Sequence, residues 1–243
     1  GKQQLDSLQK NNVDVSYMRS MDEKPTGTAV IYVEDEGDNS IVVVAGANEA
    51  CDREYLQQQD FLFHSHEIFV FQMEIPYEAV YYGITRAKEL GKTTILNPAP
   101  APEGIPEEIL DKIDYLTPNE TELIKISGLS SVSDENIRRG ARFLLSKGVK
   151  NVLVTLGDKG VLLVNHNTEK IFPARKVQAV DTTAAGDCFN GAFATALAEG
   201  KKLEEAISFA NLASSIAVTR KGAQSSIPDR KEVEALTYKA AVY

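Results

Sequence analysis

The sequence predicts a three-layer α/β fold, in which a doubly wound and mainly parallel sheet lies between two layers of helices. From residue 67 onward, short runs rich in β-branched residues alternate with longer segments that have the apolar spacing of helices. Glycine or proline stands at most of the boundaries between them. Strands that alternate with helices form parallel sheets covered on both faces. Ligands of such sheets bind beyond the carboxyl ends of the strands, so the loops there are the first candidates for a site.

The composition indicates a globular protein with a substantial core. Of the 243 residues, 43% are hydrophobic, which is enough for a single domain over 1–243. The net charge of −9 disfavours nucleic acid or an anionic membrane as the main partner. The longest apolar runs are too short to span a bilayer. The two cysteines, Cys51 and Cys188, suggest neither a disulfide framework nor a zinc site, and a reducing cytoplasm is the expected location.

The first part of the chain predicts a helix and a hairpin. Residues 2–10 have the pattern of a helix end. Two β-rich runs follow at 28–33 and 40–45, and the acidic segment 34–39 between them, with its Gly and Asn, is typical of a hairpin turn. A further helix is predicted to end near Asp60.

The strand–helix alternation then predicts the main body in order. The strand 151–155 is typical of the set, because it consists mostly of β-branched residues. The helix 76–90 has proline at an early position and Gly91 as its stop. The predicted strands are 68–71, 93–96, 113–116, 151–155 and 161–164. The predicted helices are 76–90, 119–127, 134–147, 185–198, 203–219 and 229–240.

The stretch 180–191 is a loop that becomes a helix. Its polar and small residues come first, and apolar residues at helical spacing follow. Thr182 or Thr183 is predicted to provide the N-cap.

This helix start is also a candidate anion site. Ala184, Ala185 and Gly186 offer backbone N–H groups that almost no side chain obstructs. Asp187 follows in the first turn. Its carboxylate is either a charge that complements the helix dipole or a general base beside a bound phosphate.

Five stretches with distinctive residues follow one another along the chain. They are Asn-Pro-Ala-Pro at 97–100, Thr-Pro-Asn-Glu-Thr-Glu at 117–122, Thr-Leu-Gly-Asp-Lys-Gly at 155–160, Asp-Thr-Thr-Ala-Ala-Gly-Asp at 181–187 and Val-Thr-Arg-Lys-Gly-Ala-Gln at 218–224. In this order they resemble the motifs of the ribokinase (PfkB) family of sugar kinases. The resemblance extends over nearly the whole chain.

The resemblance implies ATP-dependent phosphorylation of D-ribose at its 5-hydroxyl group, with Mg²⁺ and K⁺ as cofactors. It also implies that 28–45 is part of a β lid and that the protein forms a homodimer through this lid. Two alternatives stay open. One is another kinase of the family, acting on fructose or a nucleoside, and the other is a catalytically silent nucleotide-binding protein.

The resemblance assigns roles to individual residues. Asp187 matches the catalytic base and contacts the substrate, and Ala184, Ala185 and Gly186 match the anion hole. Glu74 matches a sugar contact, unless it is an exposed loop acid. Asn119 and Glu122 match a motif that places Mg²⁺ and phosphate, and Asn119 also suits a helix N-cap. The residues that match nucleotide contacts are Asn119, Thr155, Leu156, Gly157, Asp158, Lys159, Gly160, Gly186 and Asn211, the last of which is otherwise a satisfied buried Asn.

A monovalent-cation site is implied next to the anion hole. Its members are Asp181, Thr183, the carbonyl groups of Ala217, Arg220 and Gly222, and the hydroxyl group of Ser226. The expected role of K⁺ is to order the anion-hole loop. Cys188 stands where the family usually has Thr, either as a reactive thiol or as a small buried filler.

The family's first strand carries a sugar-binding Asp and is followed by a Gly-Gly motif. Nothing in residues 1–28 resembles them. The sequence therefore predicts a chain that is shortened at its N-terminus.

Overall fold

A computed structural model of the protein describes residues 1–33 and 39–240. The helices are α1 (Lys2–Lys10), α2 (Arg53–Gln58), α3 (Asp60–Ser65), α4 (Tyr77–Glu89), α5 (Glu107–Leu110), α6 (Glu120–Ile126), α7 (Asp134–Ser146), α8 (Ala185–Ala198), α9 (Leu203–Ala217) and α10 (Arg230–Ala240). The strands are β1 (Thr28–Val33), β2 (Asn39–Val44), β3 (Ile68–Phe71), β4 (Thr93–Leu96), β5 (Tyr115–Leu116), β6 (Asn151–Thr155), β7 (Val161–Asn165) and β8 (Glu169–Phe172). Each helix within these ranges is too short or too polar to cross a lipid bilayer.

Strands β3 to β8 form a six-stranded sheet in which they lie side by side in chain order. β3, β4, β5 and β6 are parallel to one another. β7 and β8 continue the sheet in antiparallel pairing. The predicted mainly parallel α/β fold is confirmed, although β8 was not predicted, because its sequence Glu-Lys-Ile-Phe buries only Phe172.

Helices cover both faces of this sheet. Val152 and Val154 of β6 belong to one core cluster, whereas Leu153 between them belongs to another, because successive strand residues point to opposite faces. The first cluster contains side chains of α4, α6 and α7, and the second contains side chains of α8 and α9. The sheet therefore lies between two helical layers, as the sequence predicts.

The carboxyl ends of the parallel strands meet along one edge of the sheet. The N–H group of Thr117, just after β5, donates to the carbonyl oxygen of Leu96 at 2.9 Å. The N–H group of Thr155 in turn donates to the carbonyl oxygen of Pro118 at 3.0 Å. These bonds bring the loops after β4, β5 and β6 together.

Two predicted elements differ from those observed. The predicted strand 113–116 pairs only over β5, and Ile113 precedes it as a buried residue of the first cluster. The helix predicted up to Asp60 is instead a 3₁₀ turn at Gly46–Ala50 followed by α2, after which Gln59 leaves helical geometry before α3 begins.

β1 and β2 form a separate antiparallel hairpin, as predicted, with Thr28 opposite Val44. The turn predicted at 34–39 falls almost entirely outside the described residues. Valines of this hairpin are exposed, and Val43 retains 58% of its accessible surface.

Candidate active site

A cleft of about 970 Å³ opens at the carboxyl edge of the sheet. Its walls are formed by the start of α6, the loop after β6, the segment after β8, and the start of α8 with the loop before it. The sequence-predicted residues that line it are Asn119, Glu122, Thr155, Gly157, Asp158, Gly160, Thr183, Ala185, Gly186, Asp187 and Asn211. These residues come from three of the five motif stretches and from α9, while Asn97 and Ala99 add the fourth stretch and Val218 adds the fifth.

Helix α8 starts without a side-chain cap. Its N-cap residue is Ala184, and the prediction of a cap from Thr182 or Thr183 is wrong. The hydroxyl and N–H groups of Thr183 bind Asp181 instead, at 2.6 and 2.9 Å to Oδ1. The first-turn N–H groups of α8 are therefore left for other partners.

The predicted anion hole has a different set of free amides from the one expected. The N–H group of Ala185 donates to the carbonyl oxygen of Thr182 at 3.1 Å. In residues 1–33 and 39–240, the N–H groups of Ala184, Gly186 and Asp187 donate no hydrogen bond. A Cβ atom on Gly186 would meet nothing within 4 Å, so the backbone there is open to the cleft.

Asp187 faces the cleft from the first turn of α8. Although it is exposed to the open cleft, the surrounding protein removes part of its hydration and raises the pKa of its carboxyl group. Its carboxylate accepts no side-chain hydrogen bond from the described residues. A carboxylate in this state is a stronger base than an ordinary surface Asp.

Cys188, the next residue, is 5% exposed. Burial, together with the charge of Asp187, raises the pKa of its thiol to about 11. The thiol is therefore protonated at neutral pH, which favours the buried filler over the reactive thiol.

Asn119 and Glu122 form a capping box at the start of α6. The side-chain oxygen of Asn119 accepts from the N–H group of Glu122 at 2.8 Å, and Glu122 Oε2 accepts from the N–H group of Asn119 at 2.8 Å. Desolvation raises the pKa of Glu122, although the N–H group of Asn119 opposes this. In the described ranges Glu122 Oε1 has no hydrogen-bond donor, so this oxygen is available in the cleft.

The loop after β6 owes its shape to two glycines. Gly157 has φ +57°, a conformation that favours glycine. Gly160 has φ +102°, and a Cβ atom there would lie 2.0 Å from the carbonyl oxygen of Phe172. Gly160 is thus required by contact with the chain after β8, whereas the sequence suggested contact with a ligand. Leu156 is buried in the first core cluster and Lys159 pairs with Asp134 at 3.5 Å, so neither lines the cleft.

Asn211 of α9 supports the same region. Its side-chain nitrogen donates to the carbonyl oxygens of Phe172 and Pro173, at 3.1 and 3.0 Å. The side chain of Asn211 is therefore satisfied, as one alternative expected, but it is only partly buried and also lines the cleft.

Two cations of the cleft were not predicted. Arg175 and Lys176 follow β8, line the cleft and have no ion pair within residues 1–33 and 39–240. Two adjacent basic residues shortly before the stretch 181–187 were the available signal. They place positive charge on the wall formed by the segment after β8, which an anionic ligand can use, although Glu120, Glu122, Asp158 and Asp187 also line the cleft.

Two of the predicted cation-site residues, Thr183 and Gly222, are bonded to Asp181. Its Oδ2 accepts from the N–H group of Gly222 at 2.9 Å, while its Oδ1 binds Thr183. The hydrogen bond from the Thr183 hydroxyl is the main reason why the pKa of Asp181 falls to about 2. This carboxylate ties the loop before α8 to the turn after α9.

The other predicted members lie in that turn. Ser226 is buried and donates to the carbonyl oxygen of Ala223 at 2.8 Å. The carbonyl oxygen of Ala217 accepts from the N–H group of Arg220 at 3.1 Å, and the side chain of Arg220 pairs with Glu232. In the described part of the chain, the carbonyl oxygens of Arg220 and Gly222 accept no hydrogen bond. Free carbonyl oxygens are suitable ligands for K⁺.

Glu74 lies apart from the other predicted residues. It lines a second groove of about 330 Å³, together with Val43 of the hairpin and Pro100. The two cavities share no lining residue, so the structure does not place Glu74 beside Asp187.

Comparison with known proteins identifies the family. The model of the "pfkB family carbohydrate kinase" matches residues 1–230. The chain belongs to the pfkB family. This pfkB-family protein is 38% identical to the ribokinase of Haemophilus influenzae over 232 residues, which are 96% of the chain and 76% of that relative.

Solved structures of family members are similar throughout. The ribokinase of Thermotoga maritima is 44% identical with a TM-score of 0.86, and the match covers 98% of this chain and 77% of that one. The ribokinase of Arabidopsis thaliana, solved with ribose and ATP, is 39% identical with a TM-score of 0.85, and covers 92% and 73%. The pfkB-family chain thus spans about three quarters of the length of these relatives.

Proposed function

We propose that the protein transfers a phosphoryl group from ATP to the 5-hydroxyl group of D-ribose and so forms ribose 5-phosphate. The similar proteins of Haemophilus and Thermotoga are ribokinases, and the one from Arabidopsis was solved with both ligands. The observation that carries the proposal is the start of α8, where unpaired N–H groups lie beside the carboxylate of Asp187. Anion stabilisation and a base at one place are what phosphoryl transfer to a hydroxyl group needs.

Asp187 is the general base in this reaction. It accepts the proton of the sugar hydroxyl as that oxygen attacks the transferred phosphoryl group. The raised pKa of Asp187 brings its basicity closer to neutral pH, where a base of this kind is most effective. The free N–H groups of Ala184 and Gly186 stabilise the negative charge on the phosphoryl oxygens.

The opposite walls of the cleft bind the nucleotide. Asn211 and the loop 157–160 form the wall next to the segment after β8, which suits the adenosine part of ATP. Arg175 and Lys176 suit the triphosphate, because their charges have no partner in the described ranges. Asn119 lies nearer to the transferred group, at the start of α6.

The oxygen ligands of the cleft fit Mg²⁺. Within the described residues no three His, Cys, Asp or Glu side chains form a cluster, so Mg²⁺ would take most of its ligands from water and phosphate. Glu122, whose Oε1 is available, would hold it indirectly through water. Bound Mg²⁺ supplies positive charge against the phosphate oxygens.

K⁺ has a proposed site between Asp181 and the turn after α9. Its ligands would be Asp181, Thr183, Ser226 and the carbonyl oxygens of Ala217, Arg220 and Gly222. Because Asp181 already links the two segments, an ion here would hold the loop that carries the free N–H groups.

The sugar side is proposed at the second groove. Glu74 would contact the sugar there, and the hairpin would act as a lid. This arrangement requires the bound sugar to reach from the groove into the cleft, where Asp187 lies. A homodimer through the exposed valines of the hairpin is proposed, as is a single domain over 1–243 in the cytoplasm.

Substrate profiling tests the proposal. The protein is incubated with ATP, Mg²⁺ and K⁺ and with ribose, 2-deoxyribose, fructose or adenosine, and the products are identified by NMR. Ribose 5-phosphate is expected as the main product. Preference for fructose or adenosine would retain the family and replace the substrate, and ATP binding without any phosphorylation would favour a silent nucleotide-binding protein.

Asp187→Asn tests the base. Loss of the base should lower kcat by about 10²- to 10⁴-fold, with ADP affinity unchanged. Asp134→Asn is the matched control, because this carboxylate is 83% exposed and lies outside the cleft. Turnover retained in Asp187→Asn would remove Asp187 as the base.

A further inference from the structure

Beneath the start of α8 lies a buried polar chain that none of the proposed roles uses. The Thr117 hydroxyl donates to Asn190 Oδ1 at 2.7 Å, and Asn190 Nδ2 donates to the carbonyl oxygen of Gly186 at 2.9 Å. Thr117 is 2% exposed and Asn190 is 3% exposed. Polar groups buried this deeply need their partners, so the arrangement is strongly specified.

The direction of each hydrogen bond in this chain is determined. A backbone carbonyl oxygen can only accept, so the nitrogen of the Asn190 amide must face Gly186. Asn190 Oδ1 then faces Thr117 and requires a donor. The single hydroxyl proton of Thr117 has two acceptors in reach, Asn190 Oδ1 at 2.7 Å and the carbonyl oxygen of Leu96 at 3.3 Å, and the shorter distance assigns it to Asn190. Removal of that hydroxyl would leave Oδ1 buried without a partner.

A second side chain acts on the neighbouring peptide. The hydroxyl of Ser214, on α9, donates to the carbonyl oxygen of Ala185 at 2.8 Å. The Ala185 carbonyl and the Gly186 N–H belong to one planar peptide unit, and the Gly186 carbonyl and the Asp187 N–H belong to the next. The two peptides held at their carbonyl ends are therefore those whose N–H groups at Gly186 and Asp187 are free in the described chain.

We propose that Asn190 and Ser214 are positioning residues, which orient the N–H groups of Asp187 and Gly186 toward the transferred phosphoryl group. Asn190 and Ser214 hold the carbonyl end of each peptide, so the N–H end cannot tilt away from the anion. The inference rests on the proposed function and adds the N–H group of Asp187 to the anion site.

Thr117 connects this arrangement to the sheet. Its own N–H group is bonded to Leu96 at the end of β4, and its carbonyl oxygen accepts from Asn97 Nδ2 at 3.0 Å. The orientation of the anion site is thus fixed relative to the carboxyl ends of β4 and β5. Rigid strands hold a catalytic geometry better than a loop can by itself.

Two loss variants and one rescue variant test the proposal kinetically. Ser214→Ala and Thr117→Val should each lower kcat by about tenfold, because misplacement by a fraction of an ångström weakens charge stabilisation. KM for ATP and ribose should stay within about twofold of wild type, because ground-state binding is not the target. Thr117→Ser restores the hydroxyl and should recover most of kcat.

Each variant has a matched control. Ser208→Ala removes a hydroxyl bonded at 2.8 Å to Glu204, also on α9, and Thr195→Val removes one bonded at 2.8 Å to Gly191 on α8. Both lie outside the cleft, so kcat should not change. A general loss of helix stability would lower the controls as well and would overturn the positioning role.

An equilibrium measurement separates this inference from the proposed function. Fluoroaluminate with Mg²⁺ and ADP mimics the transferred group and can be titrated by fluorescence or calorimetry without turnover. Ser214→Ala and Thr117→Val should bind it about tenfold more weakly, with affinity for ADP alone unchanged. Unchanged fluoroaluminate affinity, or an equal loss for ADP alone, would overturn the inference. If the wild type phosphorylates no sugar, the proposed function fails while this titration still decides the inference.

Discussion

Among the residues whose burial is described, all buried apolar side chains lie between Phe63 and Val233, and residues 1–30 and 42–62 contain none. The first of these regions has a sheet with helices on both faces. The second has the helix α1, the hairpin and short helical turns. Its exposed apolar residues include Tyr17, Met18 and the hairpin valines Val30, Val42, Val43 and Val44. A two-stranded hairpin alone is at best marginally stable in water.

The well-packed region and the region before it also contribute differently to the two cavities. Every lining residue of the cleft lies between Asn97 and Val218, so the well-packed region by itself holds the proposed phosphoryl-transfer site. Of the two cavities, the groove with Glu74 reaches the hairpin at Val43 and continues to Ala45 just after it. Global stability should therefore follow residues 63–233, and changes in residues 1–62 should remain local.

The largest contrast is expected in the core. Phe193 is fully buried on α8, with its ring centroid 5.1 Å from that of Tyr115 and 6.0 Å from that of Phe189. Phe193→Ala should lower the free energy of unfolding by about 3–5 kcal/mol, because it leaves a cavity. Val43→Ala on the hairpin should change it by less than about 0.5 kcal/mol. Denaturant titration measures both, and a similar loss in the two variants would break the comparison.

Two glycines with a positive φ, one in each region, provide a second comparison of the two regions. Gly160 has φ 102° and ψ −130°, which is a conformation that only glycine adopts easily, and a Cβ atom would collide with Phe172. Gly160→Ala should cost about 2–3 kcal/mol of global stability.

Gly46 is the counterpart in the other region. It has φ +55°, and a Cβ atom would lie 2.3 Å from the carbonyl oxygen of Pro25. Gly46→Ala should increase hydrogen exchange around the hairpin while the global thermal midpoint stays within about 1 °C. A large fall in that midpoint would show that the two regions unfold together.

A third test separates function from stability within α8. Gly186→Ala should stabilise the helix by about 0.5–1 kcal/mol, and its methyl group in the cleft should lower kcat by about tenfold or more. Gly191→Ala is the control, since a Cβ atom there also meets nothing within 4 Å and the residue does not line the cleft. It should raise stability equally and leave kcat unchanged. An active Gly186→Ala variant would argue against anion binding at this backbone.

The smallest effect is a displacement along the pH axis. Arg86 binds Asp60 through two hydrogen bonds and lowers its pKa, whereas desolvation raises the pKa of Asp187. As the pH is lowered, Asp187 is protonated before Asp60. The fall in kcat/KM should therefore begin while the pH is still above about 4, the ordinary range of an Asp pKa. Protonation of a group whose pKa is raised by folding adds stability, while the contribution of Asp60 is lost only below about pH 4.

Activity should therefore fall at a higher pH than stability does. The measurements are kcat/KM and the thermal midpoint between pH 4 and 7. Glu122→Gln is the control, because the pKa of Glu122 is raised as well. If kcat/KM of that variant no longer falls at low pH, the group that titrates is Glu122 and not Asp187.

The central elements were predictable because burial makes their sequences distinctive. β3, β4 and β6 have the predicted bounds, and they are short apolar or β-branched runs between turn residues. The elements that were missed carry little of this signal. β8 is a mostly exposed edge strand, and α5 contains only four residues.

In the site, motif resemblance brought together most of the cleft but not its supports. Asn190 was overlooked because it stands among the apolar residues of α8, and its partner Thr117 is 73 residues away. A polar residue four positions after Gly186 was the one available signal. The N-cap of α8 was mispredicted because the helix begins at Ala185, which puts Ala184 rather than a threonine at the N-cap position, while Thr183 turns toward Asp181.

The strands β3 to β8 lie across the sheet in the order in which they are synthesised. Each new strand can therefore join the exposed edge of the one before as the polypeptide leaves the ribosome. The helices that cover the second face, α8 and α9, follow all six of these strands and end at Ala217. Until they emerge, Ile95, Leu153 and Leu163 form a bare apolar surface. The face that carries Asp187 is thus covered only after the whole sheet has been synthesised.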